Sequence, residues 1–183
     1  MEVKSIEEIK KNDYLNEVKK LLSNLFPLNI KSSNLIGVSA CLLGINCRYN
    51  GKASLRPHVL KFLEKEKLIP IPLCPESMGG LPIPRPPAKI KGKDGFEVLD
   101  GKAKVIQLST NKDVTLNFLK GTYDCFKIVK LLNLKVCLLK EKSPSCGVNY
   151  IYKFEVDELK EGKGVFAAFL SRNNIKVFSE NDI

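Results

Sequence analysis

Cys41, Cys74 and Cys146 are the residues of this chain best suited to chemistry. Each follows a short apolar run of strand character, at residues 35–39, 68–73 and 134–139. In an open parallel α/β sheet, ligands collect beyond the carboxyl ends of the strands, where loops from different βα units meet. Three thiols brought to that edge from distant stretches point to a metal or iron–sulfur site one protein ligand short. An open coordination position permits chemistry, whereas a closed one mostly holds structure. Glycine or proline flanks all three (Gly44, Pro75, Gly79, Pro144, Gly147), so their loops are expected to leave backbone amides facing sulfur or an anion.

The other three cysteines divide. Cys125 falls on the apolar face of a helix and Cys137 inside a strand, and both read as small buried hydrophobes. Cys47 forms C-x5-C with Cys41, looser than the C-x2-C of zinc ribbons and ferredoxin-type runs. A fourth ligand, a resolving thiol and a bystander all fit it. Glu76 lies two residues beyond Cys74, where a carboxylate can act as general base or acid toward water. The same position suits a helix N-terminal carboxylate favoured by the macrodipole. Ser143, three residues before Cys146, can hold or relay a proton. His58 follows Pro57 at a helix start and reads as a surface or capping residue; with no second histidine, histidine-based zinc chemistry is disfavoured.

The elements that must position these groups alternate. Residues 1–30 predict a helical extension: Ser5-Ile6-Glu7-Glu8 is a capping box, an apolar stripe runs from Ile6 to Leu25, and Pro27 ends it. It would pack on the domain or on a second subunit, the latter giving a homodimer. Residues 31–183 then read as one three-layer α/β domain, Rossmann-like, with a mainly parallel sheet covered on both faces. Helices are expected near 58–67, 110–133 and 164–172, with Gly121 a close-packing position, and a last strand at 175–178. Pro70 and Pro72 weaken the strand at 68–73, since each removes a ladder donor. Residues 79–87 hold four prolines and must form an ordered flap. The Asp100-Gly101 pair between 96–99 and 102–106 predicts a hairpin with a type I′ turn.

At 183 residues the chain is large enough to bury a core without disulfides. Residues 1–12 are rich in Lys and Glu and lack the apolar segment of a signal peptide, and no run of about 18 apolar residues could span a membrane. A reducing, cytoplasmic setting is the expectation, in which scattered cysteines serve metals or catalysis. The net charge of +10 favours an anionic partner in general terms. Its lysines are nevertheless dispersed as solvated faces, without the basic–aromatic motif of nucleic-acid binders.

Five motifs occur in order: Val38-Ser39-Ala40-Cys41-Leu42-Leu43-Gly44; Cys47-Arg48-Tyr49-Asn50-Gly51; Cys74-Pro75-Glu76; Gly79-Gly80-Leu81-Pro82 with Pro84-Arg85-Pro86-Pro87-Ala88; and Ser143-Pro144-Ser145-Cys146-Gly147. Together they resemble the thiouracil desulfurase family over residues 35–178. The resemblance implies a 4Fe-4S cluster held by Cys41, Cys74 and Cys146 with one iron left open, Glu76 and Ser143 as the acid–base pair, and Cys47 outside the ligand set. It further implies non-redox desulfuration of a small thiolated nucleobase such as thiouracil, giving uracil and hydrogen sulfide, with the substrate sulfur on the open iron. The chain departs from the family pattern at Asn50, where aspartate is usual, and at Lys89, where glutamate is common. Two other classes compete: an electron-transfer iron–sulfur protein with Cys47 as fourth ligand, and a factor that desulfurates thiolated RNA.

Overall fold

The computed structural model describes residues 34–183, so the helix expected over residues 1–30 lies outside the described residues. Four strands form a parallel sheet: β1 (Leu35–Ser39), β2 (Ile69–Leu73), β5 (Val136–Leu139) and β8 (Lys176–Ser179), in the order β2-β1-β5-β8. The chain runs from β1 to β2 on one side, then crosses to β5 and β8 on the other. This order reverses between β1 and β5, the topological switch point at which α/β sheets open a ligand crevice.

The alternation along the strands fills both faces. Ile36, Val38 and Leu138 pack with Val59 and Leu63 of α1 (Pro57–Lys65). Cys137, Leu139 and Leu73 pack on the opposite face with Cys125 and Val129 of α4 (Thr115–Leu131) and Phe166 and Leu170 of α5 (Val165–Arg172). Helix–sheet–helix is therefore the observed architecture, as the alternating pattern predicts. Gly37 has a packing reason: a Cβ there would sit 2.6 Å from the Cys137 sulfur.

Pro70 and Pro72 fit because β2 is an edge strand of this sheet. They occupy alternate positions, opposite Ile36 and Val38, so both missing donors fall on the same, unpaired side.

The hairpin expected over 96–106 is not formed. Residues Gly95–Leu99 are helix α3, because Asp94 Oδ1 accepts from the amides of Phe96 (2.9 Å) and Glu97 (3.4 Å) and caps it. Glu97 reaches back to the Lys93 amide, one residue before the cap, at 2.8 Å, a bond akin to the second half of a capping box. Asp100-Gly101 terminates this helix, with Gly101 at φ 72°, rather than turning a hairpin. The following strand β4 (Lys104–Gln107) pairs antiparallel with β3 (Ala88–Lys91), which directly follows the proline flap. A second small ribbon joins β6 (Tyr150–Tyr152) and β7 (Leu159–Glu161). Helix α4 starts at Thr115, later than the pattern predicts, where Asp113 Oδ1 accepts from the Thr115 amide and hydroxyl. No helix among the described residues is long and apolar enough to cross a membrane.

Candidate active site

The register carries the three strand-end cysteines to one edge. Ser39 pairs with Leu73, so Cys41 and Cys74 leave the sheet side by side. Cys146 arrives in the loop after β5, the neighbour of β1 on the other side. Cys41, Cys47, Cys74 and Cys146, with Glu76 and Ser143, line one cavity of about 450 Å³. Cys125 and Cys137 lie fully buried outside that lining, as expected of core cysteines; the Cys125 thiol donates to Met78 Sδ at 3.2 Å.

Cys74 caps a single-turn helix, α2 (Pro75–Met78), which carries Glu76. This helix is pressed onto α4 through two glycines. A Cβ on Gly121 would stand 1.7 Å from the Pro75 carbonyl oxygen, and one on Gly79 would stand 2.0 Å from that of Asn117. Gly121 is thus the close-packing position that the sequence indicates, and it sets how deep α2 lies beneath the cavity. The Ser77 hydroxyl approaches the Cys74 sulfur at 3.3 Å. Contact with Cys47 and burial push the Cys74 thiol well above its ordinary range. Cys47 contacts both neighbouring thiols, and the Cys41 contact leads in pushing it up to about 11.

Glu76 is not merely a helix-end carboxylate. Its Oε2 accepts from Arg85 Nε (2.9 Å) and Nη2 (2.8 Å), in an ion pair whose guanidinium is buried. Sequence reasoning assigns Arg85 no role, although it is the one cation in the proline flap. A charge fixed between prolines that restrict its backbone was the available signal.

The Cys146 loop is held in another way. The Ser143 hydroxyl oxygen accepts from the amides of Ser145 and Cys146, both at 3.1 Å, which leaves its proton free to be donated into the cavity. Glu141, buried and also missed in the sequence, accepts from the amides of Lys142, Val148, Asn149 and Tyr150 at 3.0–3.3 Å. Burial pushes its carboxyl up, but the amides of Tyr150, Lys142 and Asn149 outweigh this and hold it below the usual carboxylate range. Glu180 in turn accepts from the Glu141 amide at 2.7 Å and pairs with Lys140. The first amides of α5 are also spent here, Val165 on Pro144 and Phe166 on Ser145. The amides of residues 145–150 are therefore consumed within the loop and by Glu141: the anion that three of them face is this buried carboxylate, and none is left free for a bound ligand.

His58 stands in the first turn of α1, away from the cavity, with Nε2 2.8 Å from the Glu180 carbonyl oxygen. Asn50 closes a local turn by accepting from the Lys52 amide at 3.2 Å. Lys89 reaches the Val156 carbonyl at 2.9 Å and lies over the Tyr152 ring, forming part of the cavity wall.

Among the described residues, no three histidine, cysteine or acidic groups close around a point as a single ion requires. Thiols spread around a cavity instead suit a polynuclear group whose metals take one thiolate apiece. The donor chemistry agrees. Burial and the charges of Cys74 and Glu76 push the Cys146 thiol far up, and coordination supplies the cationic partner that lets such a thiol ionise. The Ser145 hydroxyl oxygen is buried without a hydrogen-bond partner among the described residues and lies beside the Cys146 sulfur, placed to donate to its thiolate.

Known proteins resemble this chain in sequence and in fold. A family model described as 2-thiouracil desulfurase matches residues 36–182. The uncharacterized protein YbbK of Bacillus subtilis (strain 168) is 39% identical over 150 residues, 81% of this chain and 97% of that protein. A solved structure described as the [4Fe-4S]-dependent thiouracil desulfidase TudS superposes with a TM-score of 0.70 at 36% identity, covering 82% of this chain and 93% of that one.

Proposed function

Since this chain belongs to the 2-thiouracil desulfurase family, we propose that it hydrolyses the C–S bond of a thiolated pyrimidine such as thiouracil, releasing uracil and hydrogen sulfide. The observation that carries this reading is the convergence of Cys41, Cys74, Cys146, Glu76 and Ser143 on one cavity. Cys41, Cys74 and Cys146 would hold a 4Fe-4S cluster. When bound, the cluster supplies a thiophilic Lewis acid that polarises the thiocarbonyl.

The remaining chemistry falls to the chain's own side chains. Glu76, at the cavity wall with Oε1 unclaimed among the described residues, takes a proton from the water that adds to the thiocarbonyl carbon. The Ser143 hydroxyl, its oxygen already satisfied by two amides, donates toward the pyrimidine ring as the C–S bond breaks. The balance is one water consumed, C=S replaced by C=O, and sulfur released at its original oxidation level, so no electron donor enters. A cavity of about 450 Å³ accommodates a single base, and its lining mixes apolar and aromatic residues, Tyr49 and Tyr152 among them, with charged ones.

Anaerobically reconstituted protein is expected to turn thiouracil into equimolar uracil and sulfide without added reductant. A need for dithionite in every turnover, or a colourless protein containing zinc and no iron, would overturn the proposal.

A further inference from the structure

Among the described residues, Arg85 is the most completely bound cation lining the cavity. Nε and Nη2 both donate to Glu76 Oε2, Nη1 donates to the Pro82 carbonyl at 3.2 Å, and Nη2 also donates to the Cys47 carbonyl at 3.0 Å. Its own amide donates to the Tyr49 carbonyl at 2.8 Å. One residue thereby joins the proline flap, the loop that follows Cys41 and the helix that carries Glu76.

We infer that Arg85 is the positioning residue for Glu76, fixing Oε2 so that Oε1 is the oxygen presented to substrate and water. The inference rests on the hydrolytic reading of Glu76 given above. Three features favour it over a role in binding substrate. The Arg85 side chain is 3% exposed. Each of its three nitrogens already has an acceptor within the protein. Both hydrogen bonds to the carboxylate also converge on one oxygen instead of spreading over two, which leaves Oε1 without a donor among the described residues. The carboxylate therefore keeps one fixed orientation without losing its working oxygen. The proline-rich flap acts as the strap that carries the arginine to it. A lysine could reach Glu76, but a single ammonium lacks the planar fork that engages Glu76, Cys47 and Pro82 together.

The experiment compares Arg85→Met and Arg85→Lys with the wild type in cluster-loaded form, measuring iron and acid-labile sulfide content, kcat and KM for thiouracil, and the crystal structure of each variant. Both variants are expected to retain wild-type iron and sulfide. Arg85→Met should lose about 10²-fold in kcat, the size of effect that follows from misplacing a catalytic group by about an ångström, and KM should change little. Arg85→Lys should fall between Arg85→Met and the wild type. In the Arg85→Met crystals Glu76 should leave its wild-type rotamer. A raised KM with kcat intact would make Arg85 a substrate-binding group and overturn the inference, as would loss of iron from both variants. If the wild type itself releases no sulfide from thiouracil, the desulfurase reading fails, and the orientation of Glu76 in the Arg85→Met crystals then decides the positioning role alone: an unchanged rotamer rejects it.

Discussion

Two segments meet at the cavity and are secured in opposite ways. The loop bearing Ser143 and Cys146 is held through its backbone: one buried carboxylate, Glu141, accepts four amides, and the start of α5 donates to two loop carbonyls. The single-turn helix bearing Cys74 and Glu76 is held by shape and by one side chain, through the bare surfaces of Gly79 and Gly121 and the guanidinium of Arg85. The first device belongs to the fold and cannot be removed without unsatisfying buried donors. The second can be loosened while the fold stands. Each segment brings one thiol and one proton-bearing group to the cavity, so the contrast lies in how each pair is held and not in what it carries.

The sharpest way to break the contrast is at Glu141. Glu141→Leu leaves the amides of Lys142, Val148, Asn149 and Tyr150 without their acceptor; a buried unsatisfied group costs about 1–3 kcal/mol, and with Val148 the one buried residue of the four a loss of about 3 kcal/mol is expected. Urea unfolding of the cluster-free protein measures it. If the loss is under about 1 kcal/mol, water replaces the carboxylate easily and the loop is not held as described.

Gly121→Ala tests the other segment. The added methyl would meet the Pro75 carbonyl, a backbone atom that can move only by displacing α2. Overpacking of this kind costs about 1–3 kcal/mol, so a loss of about 2 kcal/mol is expected, accompanied by reduced iron incorporation because Cys74 caps the displaced helix. Full stability with full iron content would show that α2 does not depend on this close approach.

How much of this was legible in the sequence follows from the range of the interactions. The parallel sheet and the strand-end placement of the cysteines were legible because apolar runs and their Gly- and Pro-bearing loops are local patterns. The hairpin expected at Asp100-Gly101 failed because Asp94 and Glu97, a capping pair just upstream, claim the segment for a helix. Arg85 and Glu141 were visible as residues but not as anchors. Their partners lie 9 and 38 positions away for Arg85, and on amides up to nine positions on for Glu141. Nothing in residue type alone says that a carboxylate will turn inward to a loop.

A smaller effect is expected with acid. Glu141 is held below the usual carboxylate range, so the stability it contributes is complete above its ordinary pKa of about 4.3 and is lost as pH falls through the lower folded value. Glu141→Gln cannot titrate, so its stability should fall less steeply below pH 4 than that of the wild type. Parallel acid profiles for the two proteins would mean that other carboxylates govern acid unfolding.

The smallest effect is expected at Cys47, and it bears on the comparison because Cys47 touches both Cys74 and Arg85, which belong to the second region. Its thiol touches Cys41 and Cys74, and its carbonyl anchors Arg85, but only the thiol is altered in Cys47→Ser. If the sulfur is a bystander, the variant keeps wild-type iron and acid-labile sulfide, loses less than about 2-fold in kcat, and keeps the Arg85 anchor, since that contact is to backbone. If the sulfur is the fourth ligand, iron content and the visible absorption of the cluster fall together, and the cavity would then close over a fully coordinated cofactor. That outcome would favour the electron-transfer reading, because substrate sulfur would have no metal position to occupy. Retained cluster in Cys47→Ser with loss of it in Cys146→Ser would instead separate a neighbour from a ligand at the same cavity wall.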